Sequence, residues 1–566
     1  MSSVPPIRAR FIASPGYVRV GLSRGEAVNL WTLRGVLRRT YFTYFTIDGR
    51  SLALCRIGLA LVLMVDLLRG VPWVRDLYSN AGLLPNHTML WRPPLPRLFS
   101  VFFMASHADE AAVGFVIAFL CFLCLLVGWR TRLFHVLSFV MTTSLHDRIL
   151  VAENWGTVAL AALMLWTAFL PLGRRFSVDA LLSTLRASKG EGPDGISARR
   201  LLAPDTRPAV SLAALALLLQ LAVIYWFNFA HKTGATWREG TAVHYVLYQE
   251  RIVTSLGVWT RQHLPFAATK GLTYATLGIE ASAPALILSP IFRRQMRLLA
   301  IVLLTALHTG IALVVNLGIF SAAMIAFYPL LLDGAHWDWL ARRLRQRGQR
   351  LRALYDAGCR VGFDVLRALK PAVDGGVSDA PWRARLRRRL PWMRELGVAF
   401  ALVVCVADLS VSNGAMPRVL RWDGRPRWMA EAVMYPHLFE GWGMFSPDAP
   451  LSDEMVVVDA ITADGRHVDP YNEVGSRVHA LPVDDIPVRL GHDSMFCDYT
   501  LRIPRDRVYH QALEEWILRY PERTGNPLDA IVSFDAMKVE HDSPPPGKTR
   551  PTNVRRQVFL KWSSGG

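Results

Sequence analysis

The chain has 566 residues, 52% of them hydrophobic, and its mean hydropathy is +0.24. A composition this apolar excludes an ordinary soluble enzyme of the same length and indicates a polytopic membrane protein. The formal net charge of +19 is compatible with nucleic-acid binding, but the cations lie in loops between apolar segments, where they orient membrane helices. We therefore expect no nucleic-acid partner.

The chain begins with an arginine-rich region, residues 1–44, which lacks the short apolar stretch and small-residue cleavage site of a signal peptide. This region is predicted to be a basic cytoplasmic leader. Apolar segments of membrane-spanning length follow, and they predict about eight or nine transmembrane helices. Their approximate positions are 51–68, 111–128, 133–150, 155–172, 209–229, 271–290, 298–316, 318–332 and 395–411.

The basic loops support this topology. In this arrangement every strongly basic loop falls on one side of the membrane, including the region 336–394, which holds the run Arg383–Arg389. An excess of Lys and Arg marks the cytoplasmic side of a membrane. The N-terminus is therefore predicted to be cytoplasmic, most simply at a bacterial inner membrane.

Residues 413–566 differ in character, because their apolar residues are short and alternating, as in Glu454–Ala460. Ala463–Gly465 then supplies a hairpin turn. Further elements are predicted as a helix over His510–Tyr520 and strands near Asp529–Val539 and Arg556–Trp562. We expect a soluble α+β domain, which an odd number of helices places on the extracytoplasmic side.

The segment Tyr225–Tyr245 places ionisable and aromatic residues where a predicted helix leaves the membrane. His231 and Lys232 end the helix, and Trp237 and His244 follow. Ionisable groups at this position are costly unless they have a partner or a function. An apolar mouth favours the neutral amine that a general base requires, but a lysine can equally anchor a helix end by reaching to the interface.

Other polar residues lie within or beside the predicted spans. His308 is near the middle of a helix, and Asn316 is predicted on the same face at i+8. The two could line a pocket or hold helices together by hydrogen bonds. Asn154 and Glu153 lie on the same outer side as Lys232 and are candidates for the pocket wall.

Several spaced motifs resemble the HTTM domain, the transmembrane domain shared by vitamin K-dependent gamma-carboxylases and many bacterial proteins. They are Cys55-Arg56 through Asp66 to Arg69-Gly70, Phe176–Leu182, His231-Lys232 with Trp237 and Glu239-Gly240, and His308 with Gly318 and Phe320. The resemblance covers about residues 45–335. It implies an HTTM-type helical bundle, followed here by the loop 336–394, a last helix over 395–411 and the α+β domain.

The resemblance also implies a chemistry. In the carboxylases, the lysine that matches Lys232 is taken to remove a proton from vitamin K hydroquinone, whose reaction with oxygen gives a strong base that drives glutamate carboxylation by carbon dioxide. Here the cofactor would be vitamin K hydroquinone or a menaquinol. Residue positions and resemblance together give Lys232 and His308 as candidate catalytic residues. The candidate cofactor-binding residues are His231, Trp237, His244, Asn316 and Asn154.

One position departs from the carboxylases. Gly156 stands where the eukaryotic enzymes carry a histidine assigned to the carbanion step. A glycine supplies no imidazole, so the resemblance supports quinol oxidation more than glutamate carboxylation. A second string, Gly441–Pro447, resembles a W-x-M-F-S-P segment of bacterial HTTM proteins. Its aromatic residues are predicted to dock the outer domain on the membrane surface.

Two functions remain open. The first is a membrane enzyme, carboxylase-like or quinol-epoxidising, whose outer domain presents or gates an envelope peptide or protein. The second is a non-catalytic scaffold that binds lipid or protein and recruits an envelope partner through residues 413–566. A transporter is disfavoured because no repeat relates the two halves of the chain. The sequence has no metal-ligand spacing and no P-loop, so we expect no metal cofactor.

Overall fold

The computed structural model describes residues 40–90, 99–152, 154–187, 208–348, 381–475, 481 and 494–565. The predicted leader over 1–44 and the basic loop over 336–394 therefore lie mostly outside the described residues, and Glu153 lies outside them too. In the described part, a bundle of helices is followed by a C-terminal domain built on a β-sheet. This confirms the predicted order of a helical region and an α+β region.

Helices dominate the described chain up to residue 434. They are α1 (Gly49–Gly70), α2 (Val74–Tyr78), α3 (Asn86–Leu90), α4 (Ala108–Val127), α5 (Thr131–Arg148), α6 (Trp155–Ala168), α7 (Val178–Ala187), α8 (Leu212–His231), α9 (Ala235–Arg238), α10 (Ala242–Val246), α11 (Ser255–His263), α12 (Phe266–Leu288), α13 (Arg293–Val314), α14 (Phe320–Phe327), α15 (Gly334–Arg347), α16 (Pro381–Ser412) and α17 (Arg427–Met434). Two short strands, β1 (Thr46–Ile47) and β2 (Ala209–Val210), pair in front of α1 and α8.

Six helical regions of the described chain are long and apolar enough to cross a membrane. They are Gly49–Tyr78, Ala108–Val127, Leu212–His231, Phe266–Leu288, Arg293–Val314 and Arg389–Ser412. The higher count of eight or nine spans depends on α5, α6 and α14, which do not meet the same criterion of length and hydropathy. Because α5 ends in the polar residues His146, Asp147 and Arg148, its apolar part is short.

The bundle has two chemically different ends. The basic end comprises the segments 40–51, 128–132, 170–179, 208–212, 289–297 and 332–338. Hydrogen bonds join these segments, including Ser51 Oγ to the Leu332 carbonyl (2.8 Å) and Arg297 Nη2 to the Thr43 carbonyl (3.0 Å). The described basic loops therefore lie at one end, as predicted. The opposite end, which we call the mouth end, includes Lys232 and carries the C-terminal domain.

The C-terminal domain is a five-stranded antiparallel sheet with helices packed on it. Its strands are β3 (Ser452–Thr462), β4 (His467–Asp469), β5 (Val474–Gly475), β6 (Ile531–Asp542) and β7 (Thr552–Ser563), in the order β5-β4-β3-β6-β7. Its helices are α18 (Ser494–Arg502), α19 (His510–Leu518) and α20 (Tyr520–Thr524). The predicted turn at Ala463–Gly465 joins β3 to β4, and Gly465 adopts the positive φ that such a turn requires.

Polar contacts fasten this domain to the mouth end. The Trp516 indole donates to Asp76 (2.9 Å), Arg519 donates to the Asn80 carbonyl (3.1 Å), and Arg502 donates to the Leu150 carbonyl (3.0 Å). Trp516 and Phe496 also belong to the same continuous cluster of buried apolar residues as the bundle. The sheet domain is thus packed against the helices along a shared core.

A substitution at Gly128 would test the packing at the basic end. This glycine ends α4 in the left-handed region (φ 72°), and a Cβ there would overlap the Arg56 guanidinium. Gly128→Ala should lower the free energy of unfolding by at least about 2 kcal/mol. Gly278→Ala is the control, because nothing lies within 4 Å of that Cβ position in α12. The effects of the two substitutions are measured as the thermal midpoints of the detergent-solubilised variants. Equal midpoints for Gly128→Ala and Gly278→Ala would contradict the close packing at Gly128.

Asp469 gives the sheet domain a pH dependence. Burial raises the pKa of its carboxyl to about 6, although the Tyr471 and Asn472 amides donate to it. Because the folded state then binds the proton more tightly than the unfolded chain, this stabilisation is complete below about pH 4 and is lost as pH rises through 6. Hydrogen exchange over Ser452–Gly475, corrected for intrinsic rates, measures this effect. The free energy of opening in this segment should fall by up to about 3 kcal/mol as pH rises from about 4 through 6. Asp469→Asn should flatten this slope.

Candidate functional site at the mouth of the bundle

Lys232 lies directly after α8 and forms a buried ion pair with a residue of α12. Its Nζ is 2.6 Å from both carboxylate oxygens of Glu280, and the two side chains are 4% and 10% exposed. The ring of Trp237 covers the ammonium at 4.5 Å. The sequence suggested a lysine alone at an apolar mouth. In the structure, Lys232 is instead paired with the Glu280 carboxylate inside the bundle.

Glu280 was missed in the sequence, although it carried a signal. It is the acidic residue within the apolar segment 271–290, and an ionisable residue in such a segment needs a partner. The sequence did not identify that partner, since Lys232 and Glu280 are 48 positions apart. The close packing of α8 on α12 brings them together.

Three polar side chains meet inside the bundle near this pair. The Tyr225 hydroxyl is 2.9 Å from Nε2 of His308 and 2.6 Å from the Tyr328 hydroxyl. Tyr225 also lies within electrostatic range of Glu280. Nδ1 of His308 is buried and has no hydrogen-bond partner among the described residues. A buried ring nitrogen without a partner is available to a ligand.

The segment Gly441–Asp448, which we call the mouth segment, closes this end of the bundle. Nδ1 of His231 donates to the Trp442 carbonyl (2.7 Å), because Nε2 accepts from the Ala415 amide (3.2 Å). The Trp237 indole donates to the Phe445 carbonyl (2.8 Å). His231 and Trp237, which lie on either side of Lys232 in the sequence, thus hold the mouth segment at two points.

The mouth segment does not dock on the membrane surface through its tryptophan, as the sequence predicted. Trp442 is 1% exposed, and its indole donates to the Glu440 carboxylate inside the protein (2.8 Å). The same carboxylate accepts from Gln220 of α8 (2.9 Å). The aromatic pattern was interpreted correctly as a docking element, but the surface to which it docks is the helical bundle.

Asp448 joins the mouth segment to the loop after Lys232. Its carboxylate accepts from both the amide and the hydroxyl of Thr236, at 2.7 and 2.8 Å, and so caps α9. The Gly234 amide donates to the Pro447 carbonyl (2.9 Å). A side chain at Gly234 would collide with Asp448, which explains the glycine there. The loop after Lys232 and the mouth segment are therefore built as one unit.

The remaining candidate residues lie elsewhere at the mouth end. His244 Nε2 donates to the Pro544 carbonyl of the sheet domain (2.8 Å), and burial lowers the pKa of this histidine. Asn154 caps α6 by accepting from the Gly156 amide (2.8 Å), and it lines a small cavity with Asp66. Asn316 does not share a helical face with His308, because α13 ends at Val314. The backbone amide of Asn316 donates to the Ile252 carbonyl instead.

Gly156 is enclosed on both sides. A Cβ at this position would lie 2.8 Å from the Asn154 Oδ1 and 2.8 Å from the Phe320 amide nitrogen. These distances leave no room for a side chain unless the backbone of α14 moves. The space beside Gly156 is therefore filled by close packing of α6 against α14, at the position that the sequence resemblance compares with a carboxylase histidine.

The chain matches no family model, no curated protein and no solved structure. The resemblance to HTTM proteins thus rests on sequence motifs and stays a prediction. Among the described residues, no group of three or more His, Cys, Asp or Glu side chains could hold a metal ion.

A double-mutant cycle tests the pair. Lys232→Met leaves the Glu280 carboxylate buried without its counter-ion, and Glu280→Leu does the same to the ammonium, so each should cost about 3–5 kcal/mol of unfolding free energy. The double variant should cost much less than the sum, because it buries no lone charge. Denaturant unfolding in detergent measures the three variants. Additive losses would contradict a direct interaction.

Proposed function

We propose that this chain is an integral membrane enzyme of the HTTM type, which binds a lipid-soluble quinol at its mouth end and removes a proton from it. The observation that supports this most is the buried Lys232–Glu280 pair beside the Tyr225–His308–Tyr328 cluster. Burying two charges costs free energy that apolar side chains in the same place would avoid. Such groups inside a membrane bundle are functional candidates by default.

The residues present suit a quinol. His308 offers a buried Nδ1 without a partner, and Trp237 and Phe320 offer ring faces beside Lys232 and His308, respectively. A flat ring with hydroxyl groups needs apolar faces and a few aligned polar atoms. Vitamin K hydroquinone or a menaquinol, when bound, supplies an acidic hydroxyl and the oxygen chemistry.

The ion pair can accept a proton in two moves. The Lys232 ammonium first passes a proton to the Glu280 carboxylate, which leaves a neutral amine and a neutral acid at a separation of 2.6 Å. This exchange creates no net charge in the low-dielectric interior. The free amine then acts as the general base for a hydroxyl of the substrate and becomes an ammonium again. Glu280 retains the first proton.

The proposal stops at the quinol step. Carboxylation of an envelope peptide, with carbon dioxide and oxygen as co-substrates, belongs to the family that the sequence resembles. The enclosed Gly156 supplies no group for the carbanion step. The outer domain would then position a substrate or partner other than a peptide whose glutamate is to be carboxylated.

The orientation is part of the same proposal. The described arginines of the basic end fit a cytoplasmic surface, and the sheet domain would then be extracytoplasmic, on the periplasmic side of a bacterial inner membrane. The site would then lie at the extracytoplasmic end of the bundle.

A specific observation favours a second function, that of a non-catalytic scaffold. The mouth segment is fixed by the hydrogen bonds of His231 and Trp237, and the Lys232 and Glu280 side chains are only 4% and 10% exposed. In this case the ion pair only holds α8 to α12, and the outer domain recruits an envelope protein. The two functions differ in whether the proton of Lys232 has to move.

Lys232→Arg separates them. An arginine keeps the charge and can pair with Glu280, but it does not release its proton at any relevant pH. If Lys232 is the base, turnover of a menaquinol by the purified protein should fall by at least about 100-fold, while the thermal midpoint stays close to that of the wild type. Lys270→Arg, on the outer part of α12, is the matched control. Unchanged turnover in Lys232→Arg, or no menaquinol binding by the wild type, would favour the scaffold.

A further inference from the structure

A cavity of about 410 Å³ opens at the basic end, far from the mouth. It lies where α5 begins and where the chain leaves α6, and its wall includes Thr131, His135, Thr167 and Pro171. Its size falls within the range of sites that hold small molecules or lipid headgroups. The proposed quinol chemistry uses none of these residues.

The rim of the cavity is positively charged. Arg130, Arg132 and Arg174 line it, and neither Arg130 nor Arg132 has an ion-pair partner among the described residues. Asp179 also lies in the wall, but its carboxylate accepts from the amides of Arg130 and Thr131, at 2.9 and 2.7 Å, and from the Thr131 hydroxyl. Asp179 thus fixes the backbone of the loop, and the guanidinium groups of Arg130 and Arg132 are available to an anion.

The cavity also contains a buried acceptor. His135 is 2% exposed, and its Nε2 is 3.0 Å from the Thr167 hydroxyl. That hydroxyl donates its own proton to the Leu163 carbonyl (2.6 Å), so it accepts from His135 and Nε2 carries the hydrogen. Nδ1 of the neutral ring is then an acceptor, and it has no partner among the described residues. A hydroxyl donor of a ligand would satisfy it.

An apolar stripe leads away from the cavity along α5. Leu133, Val136, Leu137 and Val140 are all exposed, by 47%, 55%, 37% and 39%, and they follow the i, i+3, i+4, i+7 spacing of one helix face. In a membrane, this face meets acyl chains. The charged rim and the apolar stripe are therefore arranged in the order of a lipid headgroup and its tails.

We propose that this cavity binds the headgroup of an anionic phospholipid that carries a free hydroxyl, of the phosphatidylglycerol type. Arg130 and Arg132 bind the phosphate, and the headgroup hydroxyl donates to Nδ1 of His135. The acyl chains lie along the stripe of α5. Basic pockets between membrane helices at the cytoplasmic side bind acidic headgroups for the same electrostatic reason. The proposal does not depend on the function of Lys232.

Native mass spectrometry tests the charge requirement. The full-length protein is purified in detergent and titrated with phosphatidylglycerol or phosphatidylcholine. The wild type should retain one phosphatidylglycerol at least about tenfold more tightly than phosphatidylcholine. The double variant Arg130→Gln/Arg132→Gln should lose this preference. Arg342→Gln/Arg343→Gln, which removes the same charge from exposed positions on α15, should keep it. Equal loss in both double variants would overturn the site.

A second titration tests the hydroxyl and the lipid separately. Phosphatidylmethanol has the same charge as phosphatidylglycerol but no headgroup hydroxyl, so it should bind the wild type several-fold more weakly. Equal binding of the two lipids would overturn the role of His135. Glycerol 3-phosphate and inorganic phosphate at millimolar concentration should fail to displace the lipid. Displacement by either would show a soluble phosphate site and would overturn the lipid assignment.

Discussion

The mouth end depends on one electrostatic constraint, which is that a charge removed from water must keep a counter-charge. Lys232 meets it through Glu280, with both carboxylate oxygens at 2.6 Å and Trp237 over the ammonium. The pair fixes the distance between α8 and α12 at this depth, because among the described residues each side chain has the other as its oppositely charged partner. The turn that follows Lys232 is then held by the mouth segment.

Buried contacts between histidine and aspartate organise neighbouring parts of this end. The buried His437 is 3.0 Å from Asp147 of α5, and His146 is 3.1 Å from Asp66 of α1. These pairs join helices to one another and to the chain that leads into the sheet domain. Contacts between histidine and aspartate therefore connect the bundle with the outer domain, and apolar packing of Trp516 and Phe496 extends the same connection. At the basic end, by contrast, Arg130 and Arg132 remain available.

Local patterns in the sequence were sufficient for most of the fold. Apolar length predicted the long helices, and alternation with a turn at Ala463–Gly465 predicted the first hairpin of the sheet. Long-range pairs were not accessible in this way, because nothing local in the sequence states that Glu280 faces Lys232 or that Tyr328 meets Tyr225. The prediction that Trp442 docks the outer domain on the membrane surface was wrong for a related reason, because an aromatic turn has the same composition whether it covers lipid or protein.

The hydrogen bond between Trp237 and Phe445 spans 208 positions of the chain, and this has a consequence for biogenesis. During synthesis α8 and α12 enter the membrane long before the ribosome reaches the mouth segment. The Lys232–Glu280 pair can form at that stage, but the mouth segment that holds Trp237 is not yet present. In a nascent chain the Trp237 indole therefore lacks its carbonyl acceptor until nearly four-fifths of the protein has been made. Completion of the site is tied to completion of the polypeptide, so incomplete chains stay chemically distinct from finished ones.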